Sequence, residues 1–168
     1  MLVKKILYLD MDNVLVDFAS GLRLIDPALR ESYKGNEDDI PGVFAKMEPL
    51  PGAIEAFATL SESFETYILS TAPWKNSSAW SDKLEWVKRH LGDRAHKRLI
   101  LTHRKDLNRG AILVDDRTKH GADRFKGELV PFGSERFPDW ARVTPYLLGK
   151  TRQVTEDRPW LSRLLMAL

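Results

Sequence analysis

The 168-residue sequence contains no cysteine, which excludes a disulfide framework and any thiolate chemistry and is compatible with a reducing, cytoplasmic compartment. No apolar run reaches bilayer-spanning length. The run that follows Lys4-Lys5 is too short for a signal-peptide core and ends in aspartate. Neither sign of charge dominates, with 26 Lys and Arg against 24 Asp and Glu, so net charge calls for neither a nucleic-acid nor a membrane partner. Internal repeats and low-complexity stretches are missing as well. What remains is a soluble globular chain, long enough for one well-buried domain with an insertion.

Against these absences stands Asp10-Met11-Asp12, placed where the apolar run Ile6-Leu7-Tyr8-Leu9 stops. A short, β-prone, wholly apolar run predicts a central parallel strand buried on both faces. Carboxylates just beyond such a strand lie at the carboxyl edge of the sheet, where open α/β folds build their sites. A second acidic pair, Asp115-Asp116, follows Ala111-Ile112-Leu113-Val114 by the same logic. Further strands are predicted at Tyr67–Leu69, closing on Ser70-Thr71, and at Arg98–Leu101, closing on Thr102. Glu128–Phe132 reads as an edge strand because of Pro131. Helices are expected from Ile54, Phe57 and Ala58, and from the Trp80, Leu84, Val87, Leu91 stripe stopped at Gly92. Strands alternating with helices predict a parallel sheet covered on both faces.

One segment breaks the alternation. From Val14 to Glu48 no second strand is evident; Val14, Phe18, Leu22 and Ile25 form a helical stripe interrupted at Asp26-Pro27, and a polar loop follows at 35–39. We read residues 14–48 as a small helical cap above the acidic triplet, with residues 1–13 and 49–168 forming the core. The tail stripe Leu161, Leu164, Leu165, Leu168 is expected to dock on the core or to make a homodimer contact.

Four carboxylates converging at one sheet edge repel each other and need a compensating cation, and Mg²⁺ suits an all-oxygen site. Asp10 beside Mg²⁺ can attack phosphorus in line, dividing hydrolysis of a phosphate ester into two steps. Asp12, on the same side of an extended chain, can serve as proton donor and then as base. Asp116, helped by Asp115, would complete the metal site with Asp10 and the backbone carbonyl of Asp12. Thr71 and neighbouring N–H groups can hold a phosphoryl oxygen. For the cation there are two candidates, Lys83 and Lys105. Lys83 is favoured because it flanks an apolar stripe, where an ammonium is costly unless it meets an anion. Trp74, in a Pro-Trp-Lys-Asn-Ser loop with little core to join, points to a ligand role. Trp80, Trp86, Trp140 and Trp160 read as packing residues, and the four histidines show no metal spacing.

On these segments the chain resembles the haloacid dehalogenase superfamily, and within it the cytosolic and mitochondrial 5'(3')-deoxyribonucleotidases. The matching stretches are Tyr8 to Phe18, Glu48 to Ala53, Ser70 to Pro73 with Lys83 to Trp86, and Leu101-Thr102 through Leu113 to Arg117. The resemblance implies a Rossmann-like parallel sheet with helices on both faces and a small cap, and a Mg²⁺-dependent phosphomonoesterase acting through an aspartyl-phosphate. It makes Asp10 the nucleophile, Asp12 the acid/base, Thr71 and Lys83 phosphate-binding and Asp116 the late metal ligand. It further implies that Phe18, Trp74 and Arg117 line a nucleotide pocket. Asn13 stands where many relatives have glycine. Ala72 replaces a hydroxyl residue common in the animal enzymes, which leaves its phosphate contact to the backbone. The substrate class implied is a small nucleotide, probed against sugar phosphates as the alternative. A phospho-accepting receiver is disfavoured because there the acidic pair precedes the acceptor, and a dehalogenase because it does not need Asp12.

Overall fold

The computed structural model describes residues 3–156. The run at 6–9 forms β1 (Ile6–Leu9), flanked by β4 (Glu65–Ser70) and β6 (Ile112–Asp115), both parallel to it. With β5 (Leu99–Leu101) and β7 (Glu128–Pro131) they make a five-stranded parallel sheet in the order β5-β4-β1-β6-β7. Central placement explains why β1 is apolar throughout rather than alternating. Pro131 sits on the edge strand β7, where a missing N–H is harmless.

Strand side chains alternate between the faces. Leu7, Leu9, Ile68, Ile112 and Val114 enter the main core beneath α3 (Ala53–Ser63), α4 (Ser78–Leu91) and α5 (Trp140–Glu156). Tyr8, Leu69 and Leu113 face the other way, where a single 3-10 turn at 122–124 and Phe125 pack against them.

α4 turns a different face inward from the one its hydropathy predicts. Trp80 and Leu84 are each 40% exposed, while Ala79, Lys83, Trp86, Val87 and Leu91 are buried. The rotation follows from polar partners that hydropathy does not register. Trp86 donates its indole N–H to Met47 O at 2.8 Å, and Lys83 meets an anion described below. Trp80 is therefore a surface residue, whereas Trp86 and Trp140 are packing residues as expected.

Beyond Asp10 the chain turns tightly, with Leu15 N–H donating to Met11 O at 2.9 Å. Asn13 takes the left-handed conformation (φ 56°), which asparagine tolerates better than most residues. The insertion then leaves and re-enters through a two-stranded antiparallel ribbon, β2 (Val16–Asp17) with β3 (Glu48–Pro49). This pair was not foreseen between Val14 and Glu48. Val14, expected on the helical stripe, lies in the turn, and α1 runs only from Phe18 to Arg23. α2 (Pro27–Ser32) starts where Asp26 accepts N–H bonds from Ala28 and Leu29, with proline at its first position. The cap packs closely: a Cβ on Gly21 would lie 2.7 Å from Val43 O. Ile25, Ile40, Val43, Phe44 and Met47 join the same apolar cluster as Leu7 and Leu9. The insertion thus shares the core's interior.

Among the described residues no helix is long and apolar enough to cross a membrane. The tail stripe at Leu161, Leu164, Leu165 and Leu168, together with Trp160, lies outside the described residues.

Candidate active site

β1 and β6 are neighbours, so their carboxyl ends bring Asp10 beside Asp115 and Asp116. One carboxylate oxygen from each lies within 4.8 Å of the others. Asp10 Oδ1 and Asp116 Oδ1 are buried and accept no well-aligned hydrogen bond, their contacts being ion pairs with Lys105 at 3.0 Å and Arg117 at 3.6 Å. Buried carboxylate oxygens short of hydrogen bonds, in an all-carboxylate trio, fit a hard divalent cation such as Mg²⁺. Lys105 approaches from the loop after β5, with Nζ 2.5 Å from Asp115 Oδ2 and 3.0 Å from Asp10 Oδ1. Burial, and then the charge of Asp10, pushes Asp115 up to about 6 against the pull of Lys105. Burial also raises Asp116, with Arg117 opposing. For Lys105, burial disfavours the ammonium, but Asp10 and Asp115 override it and hold the group above the ordinary lysine value.

The Asp12 side chain lies apart from the trio. Both its oxygens accept from Lys83 Nζ, at 2.8 and 2.7 Å, and Ser70 Oγ takes a third contact at 3.0 Å. Lys83 is fully buried in this setting. Burial raises the Asp12 pKa, and Lys83 opposes the rise. Two expectations change as a result. Lys83 pairs with Asp12 and does not line the cavity, whereas Lys105 lines it together with Lys75 and Lys119. The Asp12 carboxylate is thus outside the trio, although Asp12 lines the cavity with Asp10 and Asp115.

The cavity above measures about 590 Å³, within the range that holds a nucleotide-sized ligand. Thr71, Phe18, Trp74 and Arg117 all line it. Thr71 gives its hydroxyl proton to Thr102 O at 2.8 Å. Ala72 does not line the cavity; its methyl is fully buried in the core. Phe18 packs on Phe44, with ring centroids 5.6 Å apart, to form an aromatic side to the roof. Trp74 is 83% exposed and stands beside His103. Arg117 Nε lies 3.6 Å from Asp116 Oδ1.

Several lining residues went unforeseen: Phe44 as a wall, His103, His120 and the turn Glu37-Asp38-Asp39. Burial, and then the positive charge of Lys105, hold His120 below the ordinary histidine value. Metal-ligand spacing was the wrong filter for these histidines. Their sequence signal is proximity to Lys105 and Arg117.

Comparison with solved structures matches this architecture. The chain superposes on the "putative HAD-hydrolase YfnB from Bacillus subtilis bound to magnesium" with a TM-score of 0.57 at 12% identity, covering 87% of this chain and 99% of that one. A haloacid dehalogenase-like family hydrolase from Xanthomonas campestris gives 0.52 at 12% identity, covering 91% and 100%. The fold is that of the haloacid dehalogenase-like hydrolases. Residues 23–137 match the family "5' nucleotidase, deoxy (Pyrimidine), cytosolic type C protein", and the chain belongs to that family of phosphoric monoester hydrolases. Among its relatives, the "Putative 5'(3')-deoxyribonucleotidase" of Vibrio phage KVP40 is 52% identical over 149 residues, covering 89% of this chain and 88% of that protein. The human "5'(3')-deoxyribonucleotidase, cytosolic type" is 29% identical over 163 residues, covering 80% and 76%.

Proposed function

We propose that this protein is a Mg²⁺-dependent phosphomonoesterase of deoxyribonucleoside monophosphates that works through a phosphorylated Asp10. The observation that carries the reading is the approach of Asp10, Asp115 and Asp116 to within 4.8 Å, beneath a roof of nucleotide size. Asp10, Asp115 and Asp116 would hold the ion, which when bound supplies positive charge against the carboxylates and the phosphoryl oxygens.

A carboxylate oxygen of Asp10 forms a bond to phosphorus while the ester P–O bond breaks. Asp12 gives its proton to the departing alkoxide, a role suited to a carboxyl whose pKa is raised by burial. Water then attacks phosphorus, Asp12 takes a proton from it, and the bond to Asp10 breaks to release inorganic phosphate. Lys83 holds the Asp12 carboxyl in place, and Lys105 presents a permanent charge beside the phosphoryl oxygens. The cap roof keeps bulk water from the acyl phosphate. Phe18 and Trp74 offer apolar faces to a base, and Arg117 a guanidinium to the sugar or phosphate.

The test is phosphate release from dUMP, dTMP, UMP and sugar phosphates, with and without Mg²⁺. Preference for the deoxynucleotides, lost on adding EDTA, is expected. Metal-independent turnover, or a sugar phosphate outrunning every nucleotide, would overturn the reading.

A further inference from the structure

The three carboxylates of the trio are not held alike. Lys105 Nζ bridges Asp10 and Asp115, and the Arg117 N–H donates to Asp115 Oδ1 at 3.0 Å. Among the described residues no lysine pairs with Asp116. Its Oδ1 lies 3.6 Å from Arg117 Nε, too far for a hydrogen bond, and its Oδ2 accepts from Asn13 Nδ2 at 3.4 Å. The orientation of that amide follows from charge, because its oxygen would be repelled by the carboxylate. The contact is long, but it joins the turn after β1 to the end of β6, 103 positions along the chain. Asn13 is firmly placed for it, with φ at 56° and its backbone N–H donating to Val16 O at 2.8 Å. Glycine would take that left-handed conformation more readily, so the turn alone gives no reason for a side chain here. Asn13 lines the cavity with Asp10 and Asp12.

We infer that Asn13 is a positioning residue for Asp116: by taking Oδ2 it leaves Oδ1 alone for a divalent ion, and one-oxygen ligation favours Mg²⁺ over Ca²⁺. The inference rests on the phosphatase reading above, in which the trio holds that ion. An amide hydrogen on Oδ2 puts positive charge where an ion gripping both oxygens would sit, and it restrains rotation of the carboxylate. Mg²⁺ demands near-octahedral geometry at about 2.0–2.1 Å, which the two close-set oxygens of one carboxylate cannot both satisfy. Ca²⁺ takes about six to eight oxygens at longer range and accepts a carboxylate through both. Freeing Oδ2 therefore helps the larger ion and loosens the ligand that the smaller one needs held.

The test titrates Mg²⁺ and Ca²⁺ separately into the metal-free full-length protein by calorimetry, with Tm measured alongside. Asn13→Gly keeps the left-handed turn and deletes the amide. It should weaken Mg²⁺ binding about tenfold, the lower end of what losing a contact behind a metal ligand costs. Ca²⁺ binding should be unchanged or tighter, so that the ratio of the two Kd values shifts by at least about tenfold. The metal-free Tm should hold or rise. Asn13→Ala also deletes the amide but strains the turn, and should give the same shift in the ratio with a lower Tm. A Mg²⁺ Kd unmoved in Asn13→Gly, or affinity lost for both ions alike, overturns the inference. So does a ratio that shifts in the alanine variant but not in the glycine one, which would trace the effect to the backbone. Unmodified protein that binds neither ion would overturn the phosphatase reading itself, and the inference with it.

Discussion

At the floor of the cavity two buried lysines are set against the acidic groups of β1 and β6, whereas the roof is fixed by amide-to-carbonyl hydrogen bonds and a phenylalanine pair. The floor holds charge in a form that is expensive to rearrange, because each partner removed leaves its mate desolvated. The roof holds shape with neutral contacts, each worth less and each replaceable. Chemistry needs the first arrangement and selection the second, and the two meet at α4, which carries Lys83 to the floor and Trp86 to the roof.

The contrast breaks most plainly at Asp10. Asp10→Asn preserves volume and should lower phosphate release by roughly 10⁵-fold or more, the scale of losing a nucleophile. An initial rate within tenfold of the unmodified protein would remove Asp10 from that role. Asp12→Asn should cost about 10²–10⁴ in rate while leaving Mg²⁺ binding, read by calorimetry, nearly intact. Lys83→Met strands the Asp12 carboxylate and is expected to cost about 3–5 kcal/mol in urea unfolding. Adding Asp12→Asn to it should recover part of that loss, and no recovery would mean the pair is not coupled. On the roof side, Trp86→Phe deletes the bond to Met47 O and should cost only about 1–3 kcal/mol, with kcat less affected than KM.

The smallest effect concerns a pair outside both regions, an exposed Arg104 against a largely buried Asp106 carboxylate. Hydrogen bonds from Arg104 hold the Asp106 carboxyl at about 2, below its ordinary 3.8. A depressed carboxylate pKa contributes stability above about pH 4 and loses it as pH falls through 2. Asp106→Asn should therefore lower Tm slightly at neutral pH, with the difference vanishing near pH 2. A gap that persists there would assign the stability to packing against Gly121 instead, where Asp106 Oδ1 occupies the space a Cβ would need.

Four of the five sheet strands were legible because each is a short apolar run closed by a polar residue, and the acidic pairs were legible because they stand at two of those closures. Where side-chain partners come from far along the chain, the sequence was silent. Lys83 interrupts an apolar stripe, and only Asp12, 71 positions away, explains why that face turns inward. Asn76 reads as an ordinary loop polar until its acceptors, 36 and 38 positions earlier, are seen to be cap carbonyls. The β2–β3 ribbon spans two residues on each side, too few to impose any periodicity. Choosing between Lys83 and Lys105 likewise required knowing which carboxylate each one meets.

Because Ile40, Phe44 and Met47 lie in one apolar cluster with Leu7 and Leu9, the insertion cannot detach without exposing the sheet's own interior. Heating should therefore give a single calorimetric transition, with matching van't Hoff and measured enthalpies. Ligand exchange would then proceed through rearrangement of exposed lining side chains such as Trp74, on a timescale faster than swinging a separate lobe.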